Sequence, residues 1–202
     1  MSDRDGPTAT DDDEGGRAPT DTDRDDLAWE TTDRETAYTC PGFSIVHETV
    51  SLPDGTETDF DYLHDEPAVV ILPFTPDGDL VVIDEWRQAV KRVNRGFPAG
   101  SVEDTEDDLA AAARRELQEE TGYVAEEVTY LDSFEPANGI SDAVHHYFAA
   151  EGCRPTASQD LDFNESIAVT ETTIGDLRED LATGDVLDGR TALGLLLYEF
   201  LR

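Results

Sequence analysis

The stretch Ala99 to Tyr123, AGSVEDTEDDLAAAARRELQEETGY, leaves the chain the fewest ways to fold. It reads as a glycine loop followed by a helix, with Gly122 suited to a left-handed C-cap after Thr121. Residues three and four apart share a helix face, so Glu116, Glu119 and Glu120 point the same way. Three carboxylates that close repel one another unless a cation joins them. Because every donor offered is oxygen, the cation would be hard and divalent, Mg²⁺ or Mn²⁺. Arg115, four residues before Glu119, can hold that carboxylate, and Ala110 to Ala113 leave the other side small enough to pack on a sheet. With 48 acidic residues in the chain, an acidic face can also be no more than a solvated one. What separates the two readings is the unbroken run Arg115 to Tyr123, preceded by Phe97-Pro98-Ala99-Gly100.

The rest of the chain supplies the sheet. Pro67 to Phe74 is a continuous apolar run, short enough for a strand buried on both faces. Asp77-Gly78 turns the chain and Leu80 to Trp86 returns it, so a hairpin of two buried strands is expected to lead into Arg87. Glu127 to Leu131, Ala143 to Ala150 and Ser166 to Thr170 read as further strands, and Ile174 to Ala182 and Arg190 to Leu201 as helices. The last helix is apolar enough to cover the sheet opposite the acidic helix. His145 and His146 are adjacent strand residues that face opposite sides, which makes them packing or surface residues more readily than ligands of one ion. Arg154 to Glu165 reads as a mobile loop.

Ahead of this region, Phe43 to Val50 and Asp59 to Leu63 form a small antiparallel pair about the turn Leu52 to Gly55. Residues 1–34 hold hardly an apolar side chain before Leu27 and are expected to be a disordered acidic tail. The expected organisation is thus a tail to residue 34, a strand segment over 35–65 and a main domain over 66–202. The formal charge of −34, from 14 basic against 48 acidic residues, would repel nucleic acid phosphates and anionic membranes. It suits a protein adapted to high salt, where screening removes the self-repulsion. Cys40 and Cys153 are too few for a disulfide scaffold or a zinc site, and no apolar run is long enough for a signal peptide or a membrane span, so a cytoplasmic protein is expected.

Arg115-Glu116-Leu117-Gln118-Glu119-Glu120-Thr121-Gly122-Tyr123 resembles the second half of the signature of the Nudix hydrolases, G-x5-E-x7-R-E-U-x-E-E-x-G-U, with U a bulky apolar residue. The first half is displaced. Family spacing from Arg115 falls on Asp107 and Ser101, whereas Glu106 and Gly100 stand one residue further away, as if one residue were inserted near Asp104-Thr105. The order AVVILPF, PDGDL, VVIDEWR, FPAGSVE is similar to the ADP-ribose pyrophosphatase branch. That branch commonly has Glu two residues before Pro-Ala-Gly, where this chain has Gly96.

The resemblance implies an α/β fold, a Nudix α/β/α sandwich with a mixed β-sheet, preceded by strands that help to form a homodimer. It implies hydrolysis of a nucleoside diphosphate linked to another group, ADP-ribose first, giving AMP and ribose 5-phosphate. Glu116, Glu119 and Glu120, with the Ala99 carbonyl, would hold Mg²⁺ or Mn²⁺, while Gly100, Arg115 and Gly122 would shape the motif. Arg87 would meet the diphosphate through its forked donors. Glu119 and Glu165 would be the catalytic carboxylates, with Glu165, or Asp162 close by, taking the proton of the attacking water. Two other readings stay open: a different Nudix substrate (a nucleotide sugar, NADH, a dinucleoside polyphosphate or an oxidised dNTP), or a Nudix domain that senses a nucleotide without cleaving it. An acidic interaction protein whose tail does the work is a third.

Overall fold

The computed structural model describes residues 25–103, 106 and 108–201. The expected tail lies outside them up to residue 24, as do Asp104, Thr105 and Asp107 of the displaced loop. The chain divides into two compact units: 36–46 with 61–202 make one, and the described part of the other is 25–35 with 47–60.

A short 3-10 turn, Asp25–Leu27, precedes a three-stranded sheet of order β1-β2-β3, with β1 at Glu30–Cys40, β2 at Phe43–Ser51 and β3 at Glu57–His64. The sheet therefore has a strand more than the reading from sequence, and β1 begins inside the segment expected to be tail. Ten of its eleven residues are exposed. With no inward face, β1 carries no alternation of apolar and polar residues that would announce it.

β4 (Ala68–Pro73) and β5 (Leu80–Arg87) are the buried runs. They are not partners in one hairpin: only the bridge Phe74↔Leu80 joins them. β6 (Arg92–Gly96) pairs with β5, while β7 (Ala99–Ser101) pairs with β4. After α1 (Leu109–Thr121), β8 (Tyr123–Val124) and β9 (Glu127–Phe134), the strand β10 (His145–Glu151) runs parallel to β4 and antiparallel to β9. β11 (Arg154–Pro155) pairs with β8, and β12 (Ile167–Thr172) pairs antiparallel with β5. The strand orders are β7-β4-β10-β9 and β12-β5-β6. Each of β4 and β5 has both edges engaged, and this is why the two separate into different sheets. The segment Phe97-Pro98 passes from one sheet to the other, anchored where the Pro98 carbonyl accepts the Ile71 N–H at 3.0 Å.

Alternation along β4 assigns its two faces. Val69 and Ile71, with Val81 and Phe148, pack against Ala112, Ala113 and Leu117 of α1. Val70 and Leu72, with Leu80, Val82 and Tyr147, pack against Leu177 of α2 (Ile174–Thr183) and Leu195 and Tyr198 of α3 (Gly189–Phe200). Each fully buried aliphatic side chain of this kind contributes about 1.5–3 kcal/mol. The result is the mixed α/β layering that the resemblance implies, with α1 and α3 on opposite faces of β4.

Candidate active site

Asp108 caps the start of α1 by accepting the Ala110 N–H, and Gly122 ends the helix at φ 74°. Between these caps the acidic residues divide by burial. Glu120 is 3 % exposed and Glu116 9 %, whereas the Glu119 side chain is 36 % exposed. Arg115 gathers three carboxylates: its Nη1 reaches Glu116 at 2.7 Å and Glu119 at 2.9 Å, and its Nε and Nη2 make a forked pair with Glu106 at 3.0 and 2.9 Å. A further bond goes to the Ser101 carbonyl. Of the two residues at the displaced acidic position, Glu106 is the described one, and it meets Arg115. The Arg115 hydrogen bond holds the Glu106 carboxyl below its ordinary range.

Among the described residues Glu120 has no such partner. Its Oε2 accepts the Ala99 N–H at 2.8 Å. Burial pushes its carboxyl up to about 8 despite that bond, and the charges of Glu116, Glu165 and Glu85 push in the same direction. Burial likewise raises Glu116 to about 7, against the opposing charge of Arg115. Both also stand toward the C-terminal end of α1, where the helix dipole disfavours negative charge. Gly100 explains how Glu116 can be buried here: a Cβ at position 100 would lie 2.1–2.3 Å from the Glu116 carboxyl atoms. The backbone therefore closes directly on the carboxylate.

Glu165, at the turn before β12, is near enough for its charge to raise Glu116, Glu120 and Glu85. Its Oε2 accepts the Asp162 N–H at 2.9 Å. The segment leading to it, expected to be mobile, is fastened to the end of α1. The Ala157 and Asp160 amides donate to the Gly122 and Glu119 carbonyls at 3.0 Å, and Gln159 Nε2 donates to the Glu120 carbonyl at 2.6 Å. These bonds satisfy carbonyls that a helix end leaves without partners.

Arg87 ends β5 and pairs with Glu85 at 2.6 Å. Glu85 is 7 % exposed, with its carboxyl raised by burial against the charge of Arg87. Its place was readable in principle, since it continues the inward alternation of Val81 and Ile83. Together with Asn94, Gly96, Asp188 and Arg190, this pair lines a small cleft. Gly96, where the resemblance expects Glu, is pressed by α3: a Cβ there would stand 2.8 Å from Thr191 Oγ1 and 2.9 Å from Asp188 Oδ2. His145 and His146 lie on β10, beside Ala68 and Val69 of β4. Burial lowers both imidazoles, and neither Nδ1 has a hydrogen-bond partner among the described residues.

Among the described residues no three carboxylates stand as a finished ligand cage, because Arg115 draws Glu116 and Glu119 toward itself. The donor chemistry nonetheless fits a hard divalent cation. Glu120 is buried beside other carboxylates, has one amide bond and lacks a cationic partner among its hydrogen bonds, an arrangement that costs free energy until positive charge arrives.

The NUDIX domain model matches residues 64–186. An ADP-ribose pyrophosphatase of Bacillus subtilis (strain 168) is 31% identical over 149 residues, covering 73% of this chain and 80% of that one. A methanol dehydrogenase activator of Bacillus methanolicus is 27% identical over the same shares. A crystal structure of an ADP compounds hydrolase overlays with a TM-score of 0.76 at 21% identity, covering 86% of this chain and 93% of that one, a likeness of fold. With the domain model spanning more than half of the sequence, and the first of these relatives matching most of both chains, the chain belongs to the Nudix hydrolase family.

Proposed function

We propose that the chain hydrolyses a nucleoside diphosphate linked to a second group, with ADP-ribose as the leading substrate and AMP and ribose 5-phosphate as products. The observation that carries the reading is the pair Glu116 and Glu120, buried against Ala99 and Gly100 at the end of a helix that gives Glu120 no cation of its own. The likeness to the B. subtilis ADP-ribose pyrophosphatase supports the substrate.

Glu116, Glu119, Glu120 and the Ala99 carbonyl would hold Mg²⁺ or Mn²⁺. Such ions, when bound, neutralise the diphosphate and lower the pKa of water. Arg115 orients Glu116 and Glu119 from behind. Gly100 keeps the backbone close enough to exclude bulk water from Glu116. Arg87 offers the diphosphate a forked cation from the cleft lined by β5, β6 and the start of α3, and Glu165, facing the same carboxylates from the turn before β12, accepts the proton of the attacking water. The exposed Trp29 and Phe60, packed edge to face at 5.9 Å, are consistent with a homodimer built on the N-terminal strands. No helix among the described residues is long and apolar enough to cross a membrane. The acidic composition supports a protein working in a salt-rich cytoplasm.

The test is product analysis at high KCl with Mg²⁺ or with EDTA, from ADP-ribose, NADH, GDP-mannose, diadenosine polyphosphates and dNTPs. Metal-dependent release of AMP, fastest from ADP-ribose, is the expected result. Faster turnover of another member of the panel would move the substrate, and saturable binding without turnover would make the domain a sensor.

A further inference from the structure

The segment Gly96 to Gly100 is held from two sides. From α1, Glu120 takes the Ala99 N–H at 2.8 Å and the Glu116 carboxylate lies against Gly100. From α3, Thr191 Oγ1 accepts the Phe97 N–H at 2.9 Å and donates its own proton to Asp188 Oδ2 at 2.7 Å. Thr191 is wholly buried, and Asp188, the N-cap of α3, also accepts the Thr191 N–H. The donor and acceptor capacity of the hydroxyl is thereby spent in one direction: Asp188 takes its proton, so a lone pair must face Phe97. The side chains come so near that only a glycine fits at position 96.

We infer that Thr191, oriented by Asp188, is a positioning residue: through the Phe97 N–H it fixes the backbone that carries the Ala99 amide and carbonyl against Glu120. This rests on the reading of Glu116, Glu120 and Ala99 as the cation site. Only Pro98 separates Phe97 from Ala99, and its ring leaves little freedom, so a shift at Phe97 moves Ala99. The Ala99 N–H is the one hydrogen bond found for the buried Glu120 carboxylate among the described residues, so its place depends on that amide. α3, whose Thr191 lies 94 residues beyond Phe97 in sequence, would then set the geometry of a site to which it gives no ligand.

The experiment compares the full chain with Thr191→Val and Thr191→Ser. Valine keeps the shape and removes the hydroxyl; serine restores it. Three quantities are read: hydrogen exchange of the Phe97 and Ala99 amides in metal-free protein, the Mn²⁺ dissociation constant by calorimetry, and kcat and KM on ADP-ribose. Thr191→Val should expose both amides to exchange, weaken Mn²⁺ about tenfold and lower kcat by a similar factor with KM within about twofold, as for other outer partners of a ligand set. Thr191→Ser should restore all three. A valine variant that exchanges Ala99 and binds Mn²⁺ as the parent does, whatever its melting temperature, overturns the inference. Should that variant not fold, Gly96→Ala loads the same contact from the opposite side and is read by the same exchange and affinity. A parent protein that binds Mn²⁺ and hydrolyses none of the panel removes the proposed function, while the exchange and affinity readings still judge Thr191.

Discussion

Asp188, partly buried, and Glu120, buried, stand on opposite sides of the segment Gly96 to Gly100, and they are treated in opposite ways. Asp188, on the α3 side, accepts two bonds from Thr191 and has Arg190 beside it. Burial would raise its carboxyl, but the charge of Arg190 and the Thr191 bonds win, and it is held below its ordinary value. It also sits at a helix N-terminus, where the dipole favours negative charge. Glu120, on the α1 side, is pushed up to about 8, has one amide bond and stands at the wrong end of its helix. Asp188 therefore contributes stability by being charged, whereas Glu120 gives stability up. A fold retains a group of the second kind where something outside the protein supplies the missing cation.

The contrast breaks most visibly in activity. Glu116→Gln or Glu120→Gln should lose about 10³-fold in kcat, since several kcal/mol of charge stabilisation go with the ligand. Steady-state hydrolysis of ADP-ribose checks it, and either variant working at the parent rate would mean that the carboxylate is only structural. Gly100→Ala should come next. The added methyl would meet the Glu116 carboxyl well inside contact distance, so the carboxylate must leave its place. We expect about 10²-fold loss in kcat, near the scale of about 10²-fold for a small misplacement in a site, with the fold retained by circular dichroism.

Stability against pH sharpens the same contrast. An unfolded glutamate titrates near about 4.3. Glu116 and Glu120 are raised in the folded protein to about 7 and about 8, so the stability they allow is full below the unfolded value and is lost as pH rises through the folded ones. Metal-free protein at constant ionic strength should lose on the order of 6 kcal/mol between pH 5 and pH 9 from these two groups. Denaturant titrations measure it. Saturating Mg²⁺ should restore most of the loss at the alkaline end and little at pH 5, and Glu120→Gln should flatten the metal-free slope. A metal-free slope unchanged in that variant would remove Glu120 as its source.

How much of this could be read beforehand follows from where the information lies in the chain. α1 was legible because its signals are local: the shared face of Glu116, Glu119 and Glu120, the alanine run, and Gly122 after it. The burial of Glu116 and Glu120 was not, because it depends on Ala99 and Gly100 folding back over them. β4 and β5 were legible as buried runs, but an apolar strand looks the same along both edges. Nothing in Val69 to Leu72 says that β10 and β7 will take those edges and leave β5 to β12 and β6. β1 escaped because it has no buried face. The roles of Gln159 and Thr191 rest on single hydrogen bonds to distant backbone, which no spacing within their own segments records.

The smallest effect is expected on the α3 side, and its sign is the useful part. Asp188→Ala removes the N-cap of α3 and the partner of the Thr191 hydroxyl, at a cost of about 1–2 kcal/mol at neutral pH. Because the folded carboxyl is held below an unfolded aspartate near about 3.9, the stability it adds is present above that value and fades as pH falls through the folded one. The gap between parent and variant should therefore narrow in acid, below about pH 4, while the Glu120→Gln gap opens in alkali. Denaturant midpoints of both variants across the same pH series give the two slopes in one experiment. A gap for Asp188→Ala that stays constant into acid would mean that its neutral carboxyl serves α3 as well as the charged one. The opposition between the two sides would then reduce to hydrogen-bond count, with Arg190 and the helix dipole adding nothing measurable.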